Sequence, residues 1–248
     1  MGSTCNICDF FVANLTKIYF VYGLAFFVTG IVVSSEATRH SRLQLAQALP
    51  YLAGFGLLHG AHEWLEMFEK IDPGPVGAGA RLFRLTVLIT SFILLIEFGL
   101  RLSALTGGNR WRLARWIVLA ISFGGAGLIW FQWGSGGRQT WVPAIDAWCR
   151  YSLAIPGSVL AAIGLYRYAS QVNDGKQDFP CNLQIVALAF LFYGIPGQAF
   201  VGTSVLPPST VMNSGLFLEV FHFPVQLLRT AMAVLIALFM GRGVRCFE

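Results

Sequence analysis

The sequence predicts an all-α fold, a polytopic bundle of seven transmembrane helices forming a single domain over residues 1–248. Three observations predict it. Hydrophobic residues make up 56% of the chain and charged residues only 12%, and the mean hydropathy is +0.64, too apolar for an ordinary soluble domain. The apolar residues gather in blocks long enough to cross a hydrocarbon core, which takes ~20 helical residues. Seven can be drawn, at 13–34, 45–68, 81–103, 113–133, 145–169, 183–206 and 214–241, with loops too short for a separate soluble domain. The charged and tryptophan residues, finally, cluster at block ends, as interfacial anchors do.

Charge placement gives an orientation. Arg39, Arg42, Arg101, Arg110, Arg112, Arg115, Arg167, Lys176, Arg242 and Arg245 fall on one side of the seven-span arrangement. Lys17, Lys70, Arg81, Arg84, Arg138 and Arg150 fall at or near the other. The richer side is expected in the cytoplasm, which places the N-terminus outside and the C-terminus inside. The net charge of +5 is then a topology signal, and nucleic acid is not an expected partner. The first span follows Cys5, Cys8 and Asp9 without a basic leader, so no cleavable signal peptide is expected. Cys5 and Cys8 form a Cys-x-x-Cys pair, open to a disulfide or soft-metal reading but more simply a plain terminal segment. Cys149, Cys181 and Cys246 have no assigned role.

Taken in order, the first span carries Gly23 and Gly30 seven residues apart on one face, a pattern for close helix approach. The basic loop after it holds His40, read as solvated. The second span starts near Gln44 and Gln47, has Pro50 in its first turns and ends in His59, His62, Glu63 and Glu66. At ~100° per residue these four share one face within an arc of about 100°. Ionisable groups at membrane depth cost about 2.5–3.5 kcal/mol each, so this face is expected to look into the bundle. The third span holds Glu97 in its inner half. Trp111 and Trp116 mark one end of the fourth span, Trp130 and Trp133 the other. Asp146 and Arg150 open the fifth and read as an exposed interfacial pair worth under about 1 kcal/mol. Pro156-Gly157 and Pro196-Gly197 suggest kinks in spans five and six. In span seven, Glu219, His222, Gln226 and Arg229 fall on one helical face, with Pro224 loosening the ladder.

Depth links the second and seventh spans. At ~1.5 Å per residue from the outer helix ends, His62 lies about 10 Å in, His59 about 15 Å, Glu219 about 8 Å and His222 about 12 Å. Three imidazoles with carboxylates form a set suited to zinc or copper. The expected ligands are therefore His59, His62, His222, Glu63 and Glu219, with Glu66 behind them fixing an imidazole tautomer. A bis-His haem on His59 and His222 is a rival, and an unliganded polar or proton-sensing network is the bland alternative. Glu97 and Arg229 fall at the same depth and are expected to form an ion pair coupling the site to span seven.

The residues Phe20-x-x-Gly23-Leu24-Ala25-Phe26-Phe27, Arg39, Arg42 and Leu45-Ala46, then Leu52-Ala53-Gly54-Phe55-Gly56-Leu57-Leu58-His59-Gly60-x-His62-Glu63-Trp64, carry a resemblance. This stretch is similar to the N-terminal multi-pass sensory region of bacterial histidine kinases and diguanylate cyclases, most clearly over 20–68. The resemblance implies a signal-input role in a bacterial inner membrane and names no signal. The implied partners are the lipid bilayer, a cytoplasmic kinase or cyclase output domain and a second copy in a homodimer. This sequence departs from that pattern by ending at Glu248, about seven residues past the last span, without an output domain. It is expected to be either a truncated input module or a small stand-alone membrane protein, with an enzyme the less expected reading for this chain alone. The competing enzymatic reading resembles the seven-helix ceramidase and adiponectin-receptor group, a three-histidine zinc with Glu63 as base. Against it, span seven has His222 alone where that group has a pair. A retinal protein is excluded because Lys17, Lys70 and Lys176 all lie outside span seven. A transporter finds no support in internal repeats.

Overall fold

The computed structural model describes residues 6–39, 44–72, 77–107, 111–133, 138–171 and 178–245. Cys5, His40, Arg42, Arg110, Lys176 and Cys246 lie outside the described residues. Among the described residues ten α-helices follow in order: α1 Asn6–Ala13, α2 Leu15–Arg39, α3 Leu49–Ile71, α4 Ala78–Leu105, α5 Trp111–Trp133, α6 Arg138–Cys149, α7 Ile155–Gln171, α8 Asp178–Ala199, α9 Ser214–Phe221 and α10 Val225–Arg245. Among the described residues the only β-type pairing is an isolated bridge between Val201 and Asn213. Six segments among the described residues are long and apolar enough to cross a membrane: α2, α4, α5, the α6–α7 unit, α8 and α10. The protein is an all-α membrane bundle.

Neighbouring helices close a ring, α2 on α3, α3 on α4, α4 on α7, α7 on α8, α8 on α10 and α10 back on α2. The inward side chains of that ring, among them Tyr22, Phe26, Phe55, Phe92 and Tyr193, are almost wholly buried. Helix α5 stands outside the ring against α6, where the Trp148 indole donates to the Ser122 carbonyl at 2.9 Å. Leu128 and Phe131 on α5 face outward, as lipid-facing residues do.

Glycines bring α2 and α3 into backbone contact. A Cβ on Gly56 would lie 2.7 Å from the Gly30 nitrogen, and one on Gly60 would lie 2.6 Å from the Gly23 carbonyl oxygen. The face expected from Gly23 and Gly30 thus meets a matching pair on α3. This approach carries Tyr19 and Tyr22 onto the polar face of α3.

Three irregularities differ from the expected spans. Helix α8 runs through Pro196 to Ala199, so the sixth span is shorter than 183–206. At Pro156 the chain makes a π turn, Arg150–Ala154, in which the Ile155 N–H bonds to the Arg150 carbonyl. Proline lacks the donor for a regular turn and its ring crowds the carbonyl four residues back, so a widened turn ahead of it relieves both problems. The seventh span, expected as continuous over 214–241, breaks into α9 and α10. His222 sits in the left-handed region at φ 62°, and its N–H closes α9 on the Leu218 carbonyl at 2.8 Å. Pro224 forbids continuation because it offers no N–H and disfavours helical backbone at the preceding residue.

The α2–α3 contact yields a paired test. Gly56→Ala is expected to cost about 1–3 kcal/mol through backbone overpacking. Gly124→Ala on α5, where nothing lies within 4 Å, should be neutral or stabilise by about 0.5–1 kcal/mol. Unfolding of both variants in detergent with a chemical denaturant measures the difference.

Candidate cation site on α3

Helix α3 presents His59, His62 and Glu63 fully buried, with Glu66 partly so, one and two turns apart on the ring interior. Its amphipathic pattern is inverted relative to a soluble helix. The polar stripe faces protein and the apolar stripe faces outward, so each buried charge needs a partner within the bundle.

His59 lies deepest. Its Nδ1 is 3.3 Å from Ser91 Oγ, whose hydroxyl donates to the Leu88 carbonyl at 2.7 Å. Ser91 therefore accepts, Nδ1 carries the proton and Nε2 is left with a lone pair. That lone pair faces the hydroxyls of Tyr193 at 2.9 Å and Tyr22 at 3.1 Å. Rings of Phe26, Phe55 and Phe92 pack around it, with centroids 4.8–5.3 Å away. Glu63 Oε1 stands 3.5 Å from the same Nε2, but with both ring nitrogens already hydrogen-bonded His59 lies outside the group of His62, Glu63 and Glu66, unlike the ligand expected from the sequence.

His62, one turn on, is set differently. Its Nδ1 lies 3.3 Å from the Arg84 carbonyl oxygen, which can only accept, so Nδ1 carries the proton and Nε2 carries the lone pair, facing Arg150 Nη2 at 3.5 Å. This is the arrangement that orients a metal-binding imidazole. His62 Nε2 is 3.9 Å from Glu63 Oε1 and 3.8 Å from Glu66 Oε2, and the three residues offer ligand atoms all within 4.8 Å of one another. A tetrahedral site with bonds of ~2.0–2.2 Å has edges of about 3.3–3.6 Å. A contraction of a few tenths of an ångström would close the His62 distances onto an ion. Both oxygens of Glu63 are buried and have no hydrogen-bond donor. The group can hold a metal ion.

Two arginines and an aspartate complete the electrostatics. Arg150 Nε donates to Asp146 Oδ1 at 2.7 Å and its Nη1 to Gln198 Oε1 at 3.1 Å. Its Nη2 stands 3.5 Å from His62 Nε2 and 3.7 Å from Glu66 Oε2. Arg84 Nη1 donates to Asp146 Oδ2 at 3.1 Å, and its Nε is 3.3 Å from Glu69 Oε1. Asp146 thus bridges two guanidinium groups that also lie near Glu66. The Asp146–Arg150 pair, expected as an exposed interfacial bridge, is buried at the centre of the network. The π turn and the packing of α6 into the ring turned it inward.

Glu66 leads out of the site. Its Oε1 accepts from the Tyr19 hydroxyl at 2.8 Å, and Tyr19 in turn accepts from Gln226 Nε2 on α10 at 2.8 Å. Three helices are joined through one hydroxyl.

Several expected residues lie elsewhere. His222 is exposed at the end of α9, its Nδ1 3.8 Å from Cys8 Sγ, and Glu219 is exposed on α9. The break at Pro224 destroys the helical register that put Glu219 and His222 on one face with Gln226 and Arg229. Neither joins the α3 group, so the structure does not assemble the three-histidine set or a His59–His222 haem pair. Glu97 accepts from Arg115 Nη1 on α5 at 2.7 Å, while Arg229 donates to the carbonyls of Gly197 and Phe200 at 2.7 and 3.1 Å. The expected Glu97–Arg229 pair is replaced by Glu97–Arg115, because α10 begins after the break and faces the end of α8.

Sequence reasoning missed Arg84, Asp146, Tyr19 and Gln198. The available signal was the strongly basic and acidic character of the outer ends of spans three and five, directly beside a helix that needs countercharges.

The chain matches no family model, no curated protein and no solved structure. The chemistry of the site therefore rests on its own residues.

Removing one partner of the buried cluster should be costly. Asp146→Asn is expected to destabilise by about 3–5 kcal/mol, because it removes the negative charge that two buried guanidinium groups share. His222→Gly, at an exposed left-handed position, should be neutral or slightly stabilising. Denaturant unfolding of the two variants separates these outcomes.

Proposed function

We propose that this chain is a membrane-embedded signal-input module. It holds a first-row metal cation, zinc or copper, at His62, Glu63 and Glu66 and passes the occupancy of that site to α10. Glu63 carries the reading: its carboxylate is 0% exposed with neither oxygen hydrogen-bonded, beside an imidazole already held in the ligating tautomer. A buried carboxylate in that condition is expensive unless a cation meets it. His62 Nε2 and one oxygen each of Glu63 and Glu66 would hold the ion, which would supply the missing positive charge. Arg150 stands near the same atoms at 3.5–3.7 Å. It keeps Asp146 and Gln198 as partners if an ion takes its place beside His62.

The path to the output is short. A change in charge at Glu66 alters the acceptor strength felt by the Tyr19 hydroxyl, and through it the bond from Gln226 at the start of α10. In this reading α3, with 23 residues and a length of ~34 Å, is the seventh span. The basic ends of α2, α4 and α10 lie in the cytoplasm and the N-terminus outside, in a bacterial inner membrane. The partner would be a cytoplasmic kinase or cyclase output domain reached from the end of α10, in a homodimer.

Equilibrium dialysis of the purified chain against zinc and copper tests the site. About one ion per chain is expected for the wild type and for His222→Gly, with affinity reduced at least about tenfold, or ~1.4 kcal/mol, in Glu63→Gln and His62→Ala. Equal binding in all four proteins, or none in the wild type, would sink the proposal. Tyr19→Phe tests the relay separately: metal affinity should stay within about threefold, while a metal-dependent change in a spin label on the C-terminal half of α10 should disappear.

A further inference from the structure

A cavity of ≈ 280 Å³ lies beside the α3 group, at the end of the bundle where α3 finishes and α10 begins. Its charged lining consists of Lys70, Arg84, Arg150 and Arg229 against Glu66 and Asp146. Most of these charges are already matched. Arg84 and Arg150 share Asp146 at 3.1 and 2.7 Å, and both lie near Glu66. Arg84 also meets Glu69, outside the cavity.

Arg229 is the exception. It is 4% exposed, yet two backbone carbonyls are its only hydrogen-bonded acceptors within 3.5 Å among the described residues. No carboxylate among those residues lies within ion-pair distance. Glu63 acts on it electrostatically without forming such a pair, and the Tyr22 hydroxyl is a further, longer side-chain hydrogen-bond partner. A guanidinium has five N–H donors and is always charged, so Arg229 brings a buried positive charge and spare donors to the cavity wall. Lys70 adds a second loosely held cation, 3.9 Å from Glu66 and 5.1 Å from the centre of the Tyr19 ring. Gln226 and Tyr19 supply neutral polar groups on the same wall.

We infer that this cavity binds a small anion, a carboxylate or phosphate group, between Arg229 and Lys70. The volume is at the lower end of small-molecule sites, enough for a small acid or for the phosphate of one lipid headgroup. Chemistry is shared between those two sources, and the position at the end of the bundle is open to both. The site is separate from the cation site, although the two have Glu66 in common. Anion binding beside Gln226 would act on the same hydrogen bond to Tyr19 from the α10 side.

The experiment uses the full chain in nanodiscs of pure phosphatidylcholine, with thermal unfolding measured at constant ionic strength. Acetate or inorganic phosphate replaces chloride in one arm, and phosphatidylglycerol is added to the disc in the other. A saturable rise in Tm in the first arm identifies a soluble anion, and in the second a lipid headgroup. Either rise should need at least about tenfold more ligand in Arg229→Gln and Lys70→Met, and stay within about threefold in Arg229→Lys. Lys70 is partly exposed, so Lys70→Met is expected to fold even if Arg229→Gln does not, and it then decides the matter alone. Glu63→Gln should lose cation binding and keep the anion response, which separates the two proposals. No rise in either arm, or an unchanged rise in Lys70→Met and in folded Arg229→Gln, would overturn the inference.

Discussion

The constraint on which the rest of this structure depends is the cost of placing ionisable side chains of α3 inside an apolar bundle. His59, His62 and Glu63 have no access to solvent, and water is not available to offset their burial. The two histidines must therefore find protein partners, and those partners fix the helices that carry them. Ser91 and Arg84 tie α4 to α3, Asp146 and Arg150 tie in the α6–α7 unit, and Tyr193 ties in α8. Tyr19 and Tyr22 bring α2, and Gln226 brings α10. The polar network touches every helix of the ring, so it specifies their order in a way that generic apolar packing does not.

That network depends in turn on small residues. Hydroxyl groups of Tyr19 and Tyr22 reach α3 only because α2 lies against it at glycine distance. Larger residues at Gly30 or Gly56 would push the helices apart and lengthen bonds of 2.8–3.1 Å. The apolar and polar parts of the interface are thus one design: close backbone approach supplies the reach, and hydrogen bonding supplies the register. Within the network, the same residue type serves two purposes. His59 has both ring nitrogens hydrogen-bonded to hydroxyls, with Glu63 Oε1 3.5 Å from its Nε2, whereas the His62 Nε2 lone pair faces Arg150 and two carboxylates.

Much of the bundle was legible from sequence because block length and helical spacing are local properties. The α3 face of His59, His62, Glu63 and Glu66 was read correctly as inward-facing, since its four residues lie on one uninterrupted helix. What failed required knowledge of how helices end or meet. Pro224 was read as a loosened ladder, but with His222 in the left-handed region it ends one helix and starts another, carrying Glu219 and His222 away. Equal depth suggested Glu97 and Arg229 as partners; depth says nothing about azimuth, and Arg115 on α5 was closer. Asp146 and Arg150 looked like a surface pair because nothing local reveals that α6 enters the ring.

The π turn at Arg150–Ala154 has a consequence for helical phase. A widened turn contains one residue more than a regular one, so everything before it is offset by about 100° relative to an uninterrupted helix. Excising a single residue from that turn would restore the ordinary ladder and swing Asp146 and Arg150 away from the interior together. Arg84, Glu66 and Gln198 would lose their shared partners in one step. The arrangement of charge at the heart of the bundle is therefore encoded in a count of residues ahead of Pro156 as much as in their chemical identity.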